Sequence, residues 1–146
     1  MSYSFKVYVY QTNPGGNAFF RAVEKTLWKY GNGGTWDEVN GYHLLQIGAS
    51  GTCGSIRLQS NTNESYVVTL GIHNNKPWGD IVTNLTDDQT ACVITPEYYD
   101  SAHPDREKQR TSQLTVYEVA NLKGRTCSYE YTVTEGKELA VRIVIA

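Results

Sequence analysis

The chain has 146 residues, of which 40 % are hydrophobic and 19 % are charged, and its formal net charge is −2. This length suits one domain with an ordinary hydrophobic core. Proteins that bind nucleic acid usually present a basic face, and this low, slightly negative charge gives no sign of one, so we expect no nucleic-acid partner. No uninterrupted apolar run reaches the roughly 20 residues that span a bilayer.

Alternating apolar and polar residues near the N-terminus predict a β-strand over residues 4–11. Phe5, Val7 and Val9 share one face there, because neighbours on a strand point to opposite sides. The same pattern recurs in six further segments separated by turn residues, namely residues 42–47, 55–60, 65–72, 113–119, 127–134 and 138–145. This spacing predicts a mainly β protein that folds as an antiparallel two-sheet β-sandwich.

Two segments interrupt the alternation. Residues 17–25 predict a short helix after a Pro-Gly-Gly turn. Residues 86–99 predict a second helix, because Thr86 lies three residues before Gln89 and could form a capping box with it. The polar residues 100–112 predict a loop with one further turn of helix.

Three cysteines, Cys53, Cys92 and Cys127, cannot all pair within one chain. None lies in a C-x-x-C motif with a nearby histidine, and no basic and apolar leader precedes the first strand. We therefore expect reduced thiols and a cytoplasmic protein. Because no linker divides the chain, we predict a single domain over residues 1–146.

Catalytic motifs are weak. His43, His73 and His103 match no metal-binding spacing, so the sequence predicts no metal site and no cofactor. Residues 48–51 resemble the start of a nucleophile elbow, but Thr52 stands where its last glycine should be. We expect no enzymatic activity, although a pair of carboxylates from different strands stays open.

Nine of the 13 glycines lie between Gly31 and Gly79, mostly in three polar turns flanked by aromatic residues. These turns span residues 30–37, 48–54 and 71–80. They offer backbone N–H groups, hydroxyls and amides beside flat apolar rings. Such a combination suits a polyhydroxylated ligand with one apolar face, so the turns predict sugar binding.

Six blocks resemble the fungal fruit-body lectins, in the same order and with nearly the same spacing. The blocks are residues 28–38 (WKYGNGGTWDE), 48–54 (GASGTCG), 71–74 (GIHN), 78–85 (WGDIVTNL), 97–99 (EYY) and 131–136 (YTVTEG). The resemblance implies an actinoporin-like β-sandwich whose sheets are joined by a helix-loop-helix. It also implies a non-catalytic lectin, with a role in defence or glycan recognition.

The resemblance further implies two sugar sites. The first would bind galactose-β1,3-N-acetylgalactosamine through Gly31, Ser50, Gly51 and Asn74. The second would bind N-acetylglucosamine through Asp80, Ile81, Thr83, Arg106 and Tyr117, with Arg110 as the alternative to Arg106. At the first site, Gly31 and Asn75 replace the Ala and Tyr that are common in the family.

Other interpretations of these residues remain open at this point. The first set can consist of ordinary turn residues, and Asp80 and Arg106 can form a surface ion pair. A membrane-active cytolysin is the alternative function, because the implied fold is shared with pore-forming proteins. Residues 4–11 alternate as a strand rather than as a detachable amphipathic helix, so we expect no membrane insertion. We expect glycans and glycoconjugates as partners, and a homodimer or homotetramer like those of relatives.

Overall fold

The computed structural model describes residues 2–28 and 33–146. Ten strands and two short α-helices follow one another in these residues. They are β1 (Tyr3–Gln11), β2 (Phe20–Trp28), β3 (Gly34–Val39), β4 (Tyr42–Ile47), β5 (Thr52–Ser60), β6 (Ser65–His73), β7 (Lys76–Thr83), α1 (Ala91–Ile94), α2 (Pro104–Ser112), β8 (Val116–Ala120), β9 (Thr126–Val133) and β10 (Glu138–Ile145).

The strands form two sheets, which confirms the predicted β-sandwich. One sheet has the strand order β3-β4-β1-β10-β9-β8, and the other has the order β2-β5-β6-β7. α1 and α2 lie in the connection between β7 and β8, as the helix-loop-helix prediction requires. One pair departs from the antiparallel rule, because β1 and β10 run parallel, with Phe5 opposite Leu139 and Val9 opposite Ile143.

The core lies between the two sheets. Phe5, Val7 and Val141 from the six-stranded sheet, and Leu58 and Leu70 from the four-stranded sheet, are at most 1 % exposed. Each is an apolar side chain on the inward face of its strand, and burying one contributes roughly 1.5–3 kcal/mol. This alternating inward face is the part of the fold that the period-two pattern predicts.

A second, smaller apolar cluster covers the outer face of the four-stranded sheet. Ile94 of α1 and Tyr98 of the 3-10 helix Thr95–Tyr99 pack there against Val67 and Trp78. Because β5 and β6 are thus covered on both faces, nearly all of their residues are buried. This cluster holds the helical connection beside β7.

The helix predicted over residues 17–25 is wrong. A 3-10 turn, Gly15–Asn17, precedes β2, which pairs with β5. The pairing register shifts between Ala22 and Glu24, and Val23 is 42 % exposed. A β-bulge of this kind interrupts the alternation of buried and exposed residues, which removes the signal for a strand.

The helical connection begins later than predicted. The backbone N–H of Thr86 does donate to Gln89 Oε1 at 2.9 Å, but this bond closes only a turn. α1 instead starts after Thr90, whose side chain caps it. The Glu24 carboxylate accepts a further hydrogen bond from the N–H of Ala91 at 2.8 Å. The start of α1 is therefore fixed by a tertiary contact as well as by its own sequence.

α2 is longer than the single turn predicted within residues 100–112. Pro104 occupies its first turn, where the missing N–H costs nothing, and Gln113 ends it with a left-handed φ of 51°. The helix packs against β7, which brings the side chain of Arg106 to the edge of the four-stranded sheet.

Candidate functional site

The β6–β7 hairpin meets the β4–β5 loop at one end of the four-stranded sheet. Asn74 and Asn75 form its turn with φ values of 50° and 64°, the left-handed conformation that a two-residue turn needs and asparagine tolerates. The N–H of Asn75 donates to Ser50 Oγ at 3.0 Å, and the N–H of Gly51 donates to the Ile72 carbonyl at 2.8 Å. The structure therefore brings together Ser50, Gly51 and Asn74, three of the residues implied for the first site.

These contacts decide which atoms can reach a ligand. Ser50 Oγ already accepts from Asn75, so its hydroxyl hydrogen is free to donate outward. The exposed amide of Asn74 has its Nδ2 3.4 Å from His73 Nε2. The N–H of Gly51 donates to the Ile72 carbonyl and is not available to a ligand. Gly51 instead lets a ligand approach the backbone closely, because it has no side chain. Its φ of 84° favours glycine independently of any ligand.

The first of the three glycine-rich turns approaches the second. Gly31, the remaining residue implied for the first site, lies outside the described residues. At the described end of its turn, Gly33 accepts a hydrogen bond from the N–H of Gly48 at 3.1 Å. Asn75, which replaces the family's common tyrosine, is held by the Tyr3 hydroxyl at 3.1 Å. The Asn75 side chain thus ties the hairpin turn to β1.

A cavity of about 380 Å³ opens between β7, α2 and β8. Its lining includes all five residues implied for the second site, namely Asp80, Ile81, Thr83, Arg106 and Tyr117. Arg110, the alternative to Arg106, points elsewhere. Its Nε donates to the Tyr98 carbonyl at 2.9 Å, and its guanidinium lies 4.9 Å from the centre of the Tyr99 ring.

Asp80 is a buried carboxylate, only 3 % exposed, in the wall of this cavity. The Tyr98 hydroxyl donates to its Oδ2 at 2.7 Å. Burial raises the pKa of Asp80, and its hydrogen bonds offset this only in part. Arg106 forms its ion pair with Glu97, at 3.1 Å, so the surface pair between Asp80 and Arg106 considered above is not formed.

Buried hydroxyls continue inward from Tyr98. The Thr69 side chain lowers the pKa of the nearby Tyr98 hydroxyl, and Thr69 Oγ1 lies 2.7 Å from Ser55 Oγ. Thr95 Oγ1 donates in turn to Ser55 Oγ at 2.8 Å. Because neighbouring hydroxyls interact with one another, this series of hydroxyls helps to fix the orientation of the Asp80 carboxylate. Sequence reasoning missed it, since its members come from separate strands and the helical connection.

Gln109 is the main cavity residue that sequence reasoning missed. Its side chain faces Asp80 and lowers the pKa of that carboxyl slightly. Its buried Nε2 nevertheless forms no hydrogen bond of normal geometry within residues 2–28 and 33–146. Gln109 follows Arg106 by three residues, so helical spacing would have placed both on one face of α2.

Further observations concern metal binding, membrane spanning and the cysteine thiols. Among the described residues, no group of three or more His, Cys, Asp or Glu side chains is arranged to hold a metal ion. The helices in that same part of the chain are all too short or too polar to cross a membrane. Cys53 and Cys127 are buried free thiols, and burial raises the pKa of each to about 12.

Comparison with known proteins assigns the chain to a family. The family model for fungal fruit body lectins matches residues 1–143. The chain belongs to this family. It is 42 % identical to the Boletus edulis lectin over 146 residues, which is 100 % of both sequences. As a fungal fruit body lectin, it is a carbohydrate-binding protein of a non-enzymatic family.

Solved structures support the same assignment. The crystal structure of the wild-type Xerocomus chrysenteron lectin XCL matches with a TM-score of 0.93 and 43 % identity, over 100 % of both chains. A triply substituted form of XCL gives a TM-score of 0.94 at 43 % identity, over 100 % of this chain and 99 % of the other. These matches confirm the predicted fold class and the predicted family.

Proposed function

We propose that this lectin binds galactose-β1,3-N-acetylgalactosamine at the first site and N-acetylglucosamine at the second. The observation that carries the proposal is the convergence of Asp80, Ile81, Thr83, Arg106 and Tyr117 on one cavity. These residues come from β7, α2 and β8, and the described first-site residues, Ser50, Gly51 and Asn74, come from two other loops. The choice of sugars rests on the family resemblance.

The chemistry of the second site suits an acetylated sugar. The Asp80 carboxylate can accept hydrogen bonds from sugar hydroxyls. Arg106 uses its Nε for Glu97, which leaves its terminal nitrogens for a hydroxyl or for the acetamide carbonyl. Tyr117 adds an apolar ring with a polar end, and burial raises the pKa of its hydroxyl. The hydroxyl therefore stays neutral at ordinary pH.

The first site offers fewer enclosed groups. Ser50 can donate its hydroxyl hydrogen, and the Asn74 amide can both donate and accept. The left-handed backbone of Gly51 lets a sugar approach closely, since no Cβ intervenes. An exposed site of this kind binds free sugars weakly, so we also propose a homodimer or homotetramer that gains strength on clustered glycans.

Calorimetric titration of the wild-type protein tests the proposal. Each of the two sugars should bind with a stoichiometry of one per chain, and mannose serves as the control sugar. Saturation with one sugar should leave the affinity for the other within about twofold, because separated sites without shared partners are usually independent. Displacement of one sugar by the other would show a single shared site and refute the assignment.

A further inference from the structure

A second cavity, called here the side cavity, adjoins the second site at the end of β7. Its volume is about 260 Å³, and the β5–β6 turn, the end of β7 and the β8–β9 turn line it. Thr83 belongs to the lining of both cavities. The backbone N–H of Leu122 donates to Asn84 Oδ1 at 3.0 Å, which ties the β8–β9 turn to the end of β7.

The two cavities follow one groove between β7 and β8, which are edge strands of the two sheets. Asp80 and Tyr117 line the second site, and Asn84 and Asn121, which directly follow β7 and β8, line the side cavity. A strand rises about 3.3 Å per residue, so Asp80 and Thr83 are roughly 10 Å apart. The groove is therefore longer than one sugar ring.

The side cavity presents groups that suit a sugar. Asn84 Oδ1 accepts a hydrogen bond from the Leu122 N–H. This bond identifies the oxygen of the side-chain amide, so the opposite atom is Nδ2, a hydrogen-bond donor. The Leu122 side chain is apolar and 89 % exposed at the rim. A donor beside an exposed apolar side chain matches the polar edge and apolar face of a pyranose ring.

The described lining of the side cavity includes one carboxylate, Glu64, and one ammonium, Lys123. Glu64 is 6 % exposed and receives a hydrogen bond from Arg125 Nε at 2.8 Å. Burial alone would raise the pKa of Glu64, but the hydrogen bonds from Arg125, Thr62 and Asn121 outweigh it and lower this pKa to about 2. Glu64 is thus a neutralised partner of Arg125. The ammonium of Lys123, by contrast, has no ion-pair partner within residues 2–28 and 33–146.

We propose that the side cavity is an accessory subsite for an acidic sugar residue linked to the N-acetylglucosamine in the second site. The acidic group, a carboxylate or a sulfate, binds the Lys123 ammonium, and the Asn84 amide donates to the same ring. The lectin then prefers acidic glycans to neutral ones with the same N-acetylglucosamine. This inference rests on the proposed function of the second site.

Disaccharides that differ only in the second residue test the subsite. N-acetylglucosamine joined to glucuronic acid, in each of the two linkage orders, is compared by calorimetry with the same disaccharides containing glucose. A glucose 6-sulfate counterpart distinguishes sulfate from carboxylate. We expect at least one acidic disaccharide to bind about three- to tenfold more tightly than its neutral counterpart at low salt. The preference should shrink at 1 M salt, where charges are screened.

Two lysine variants provide the matched comparison. Lys123→Gln should abolish the acidic preference and leave the affinity for N-acetylglucosamine unchanged. Lys6→Gln removes the same charge from an exposed position on β1, outside the lining of both cavities, and should keep the preference. Equal binding of acidic and neutral disaccharides by the wild-type protein, or an equal loss in both variants, would overturn the proposal.

Failure of the proposed function would give a different result. In that case N-acetylglucosamine alone would bind neither the wild-type protein nor Lys123→Gln. Nuclear magnetic resonance titration with glucuronic acid alone then decides the subsite. Shifts of the Asn84 side-chain amide and the Lys123 backbone amide that disappear in Lys123→Gln support it, and their absence overturns it.

Discussion

Asn74 serves both the fold and the proposed first site. Its left-handed φ of 50° closes the β6–β7 hairpin, and its side chain presents an exposed amide there. An alanine at this position would confuse the two roles, because a residue with a Cβ is strained at this φ. Glycine keeps the turn and removes only the amide, so it isolates the role in binding.

Asn74→Gly should therefore weaken the binding of galactose-β1,3-N-acetylgalactosamine about five- to hundredfold, because a lost hydrogen bond of this type costs roughly 1–3 kcal/mol. Calorimetry measures the loss, and the affinity for N-acetylglucosamine should not change. Asn17→Gly is the control, since Asn17 has a similar φ of 56° away from both sites. Unchanged disaccharide binding by Asn74→Gly would remove Asn74 from the site.

Asp80 gives the second site a pH dependence. Burial raises its pKa, so it becomes protonated at a higher pH than an ordinary aspartate, whose pKa is about 4. The neutral acid accepts sugar hydroxyls less well, so affinity for N-acetylglucosamine should fall on acidification. Asp80→Asn should bind about five- to hundredfold more weakly at neutral pH and show no such fall. Titrations between pH 4 and 7 measure both effects, with exposed Asp87→Asn as the control.

The effect of Asp80 on stability has the opposite sign. Because its pKa is higher in the folded state, the folded protein binds the proton more readily than the unfolded chain does. Asp80 therefore costs stability above its folded pKa, and acidification through that pKa removes the cost. Loss of sugar binding that coincides with acid unfolding of the whole domain would contradict this separation of binding from folding.

At the scale of elements, the position of β7 at a sheet edge explains why the sequence does not predict this strand. β7 lies at the edge of its sheet, which lets it contain Pro77 without losing a ladder hydrogen bond. It also contains Gly79, where a Cβ would lie 2.6 Å from the Tyr129 ring. Proline and glycine predict turns locally, so the sequence predicts a turn over residues 71–80, whereas β7 begins within it at Lys76. Only the sheet pairing and the packing of Tyr129 reveal a strand.

The central strands, by contrast, were predictable. β1 and β10 alternate between apolar residues that face the core and less buried residues, and nearly every residue of β6 is buried. The candidate site residues came from family resemblance, since no local pattern links Asp80 to Arg106. Gln109 and the hydroxyl chain behind Tyr98 could not be predicted, because tertiary packing alone brings them to the second site.

α2 offers a prediction of its own. Gln109 faces Asp80 inside the cavity, whereas Glu107 is exposed and outside its lining. Gln109→Met keeps the volume and removes the amide donor, so it should weaken binding of N-acetylglucosamine about three- to tenfold. Glu107→Met should leave the affinity unchanged. Equal affinities of wild-type protein and Gln109→Met in calorimetry would show that the amide makes no contact with the sugar.

The β5–β6 turn depends on Glu64, which is held by Arg125 and Asn121. Glu64→Gln should lower the free energy of unfolding by about 1–3 kcal/mol near neutral pH, as measured by urea denaturation. The pKa of Glu64 falls from 4.5 to about 2 on folding, so its stabilisation is complete above pH 4.5 and is lost towards pH 2. The difference between variant and wild type should fade over that interval.

A suitable comparison for this variant is Glu38→Gln. Glu38 forms an ion pair with Lys25 at 3.1 Å, but its side chain is 71 % exposed. Solvent screens such a pair, so its removal should have little effect on unfolding. An equal loss of stability in both variants would show that burial of Glu64 is unimportant.

At the scale of the whole molecule, both proposed sites consist of hydroxyls, amides, a carboxylate and a guanidinium. Among the described residues, no group of carboxylates or histidines is arranged to hold a metal. Cell agglutination by this lectin should therefore survive treatment with EDTA, since the proposed sites bind sugar through direct hydrogen bonds. Haemagglutination titres with and without chelator measure this. Loss of activity that Ca²⁺ restores would refute the composition of both sites.

The parallel pairing of β1 with β10 also affects how the molecule folds. The two strands are neighbours in the middle of the six-stranded sheet, although most of the chain separates them. Contacts between distant parts of a chain impose a large entropic cost and slow folding. During synthesis, the six-stranded sheet cannot close until residues 138–145 have left the ribosome. The hairpins of the four-stranded sheet, β5–β6 and β6–β7, pair residues that are close in sequence. They can therefore form before the six-stranded sheet is complete.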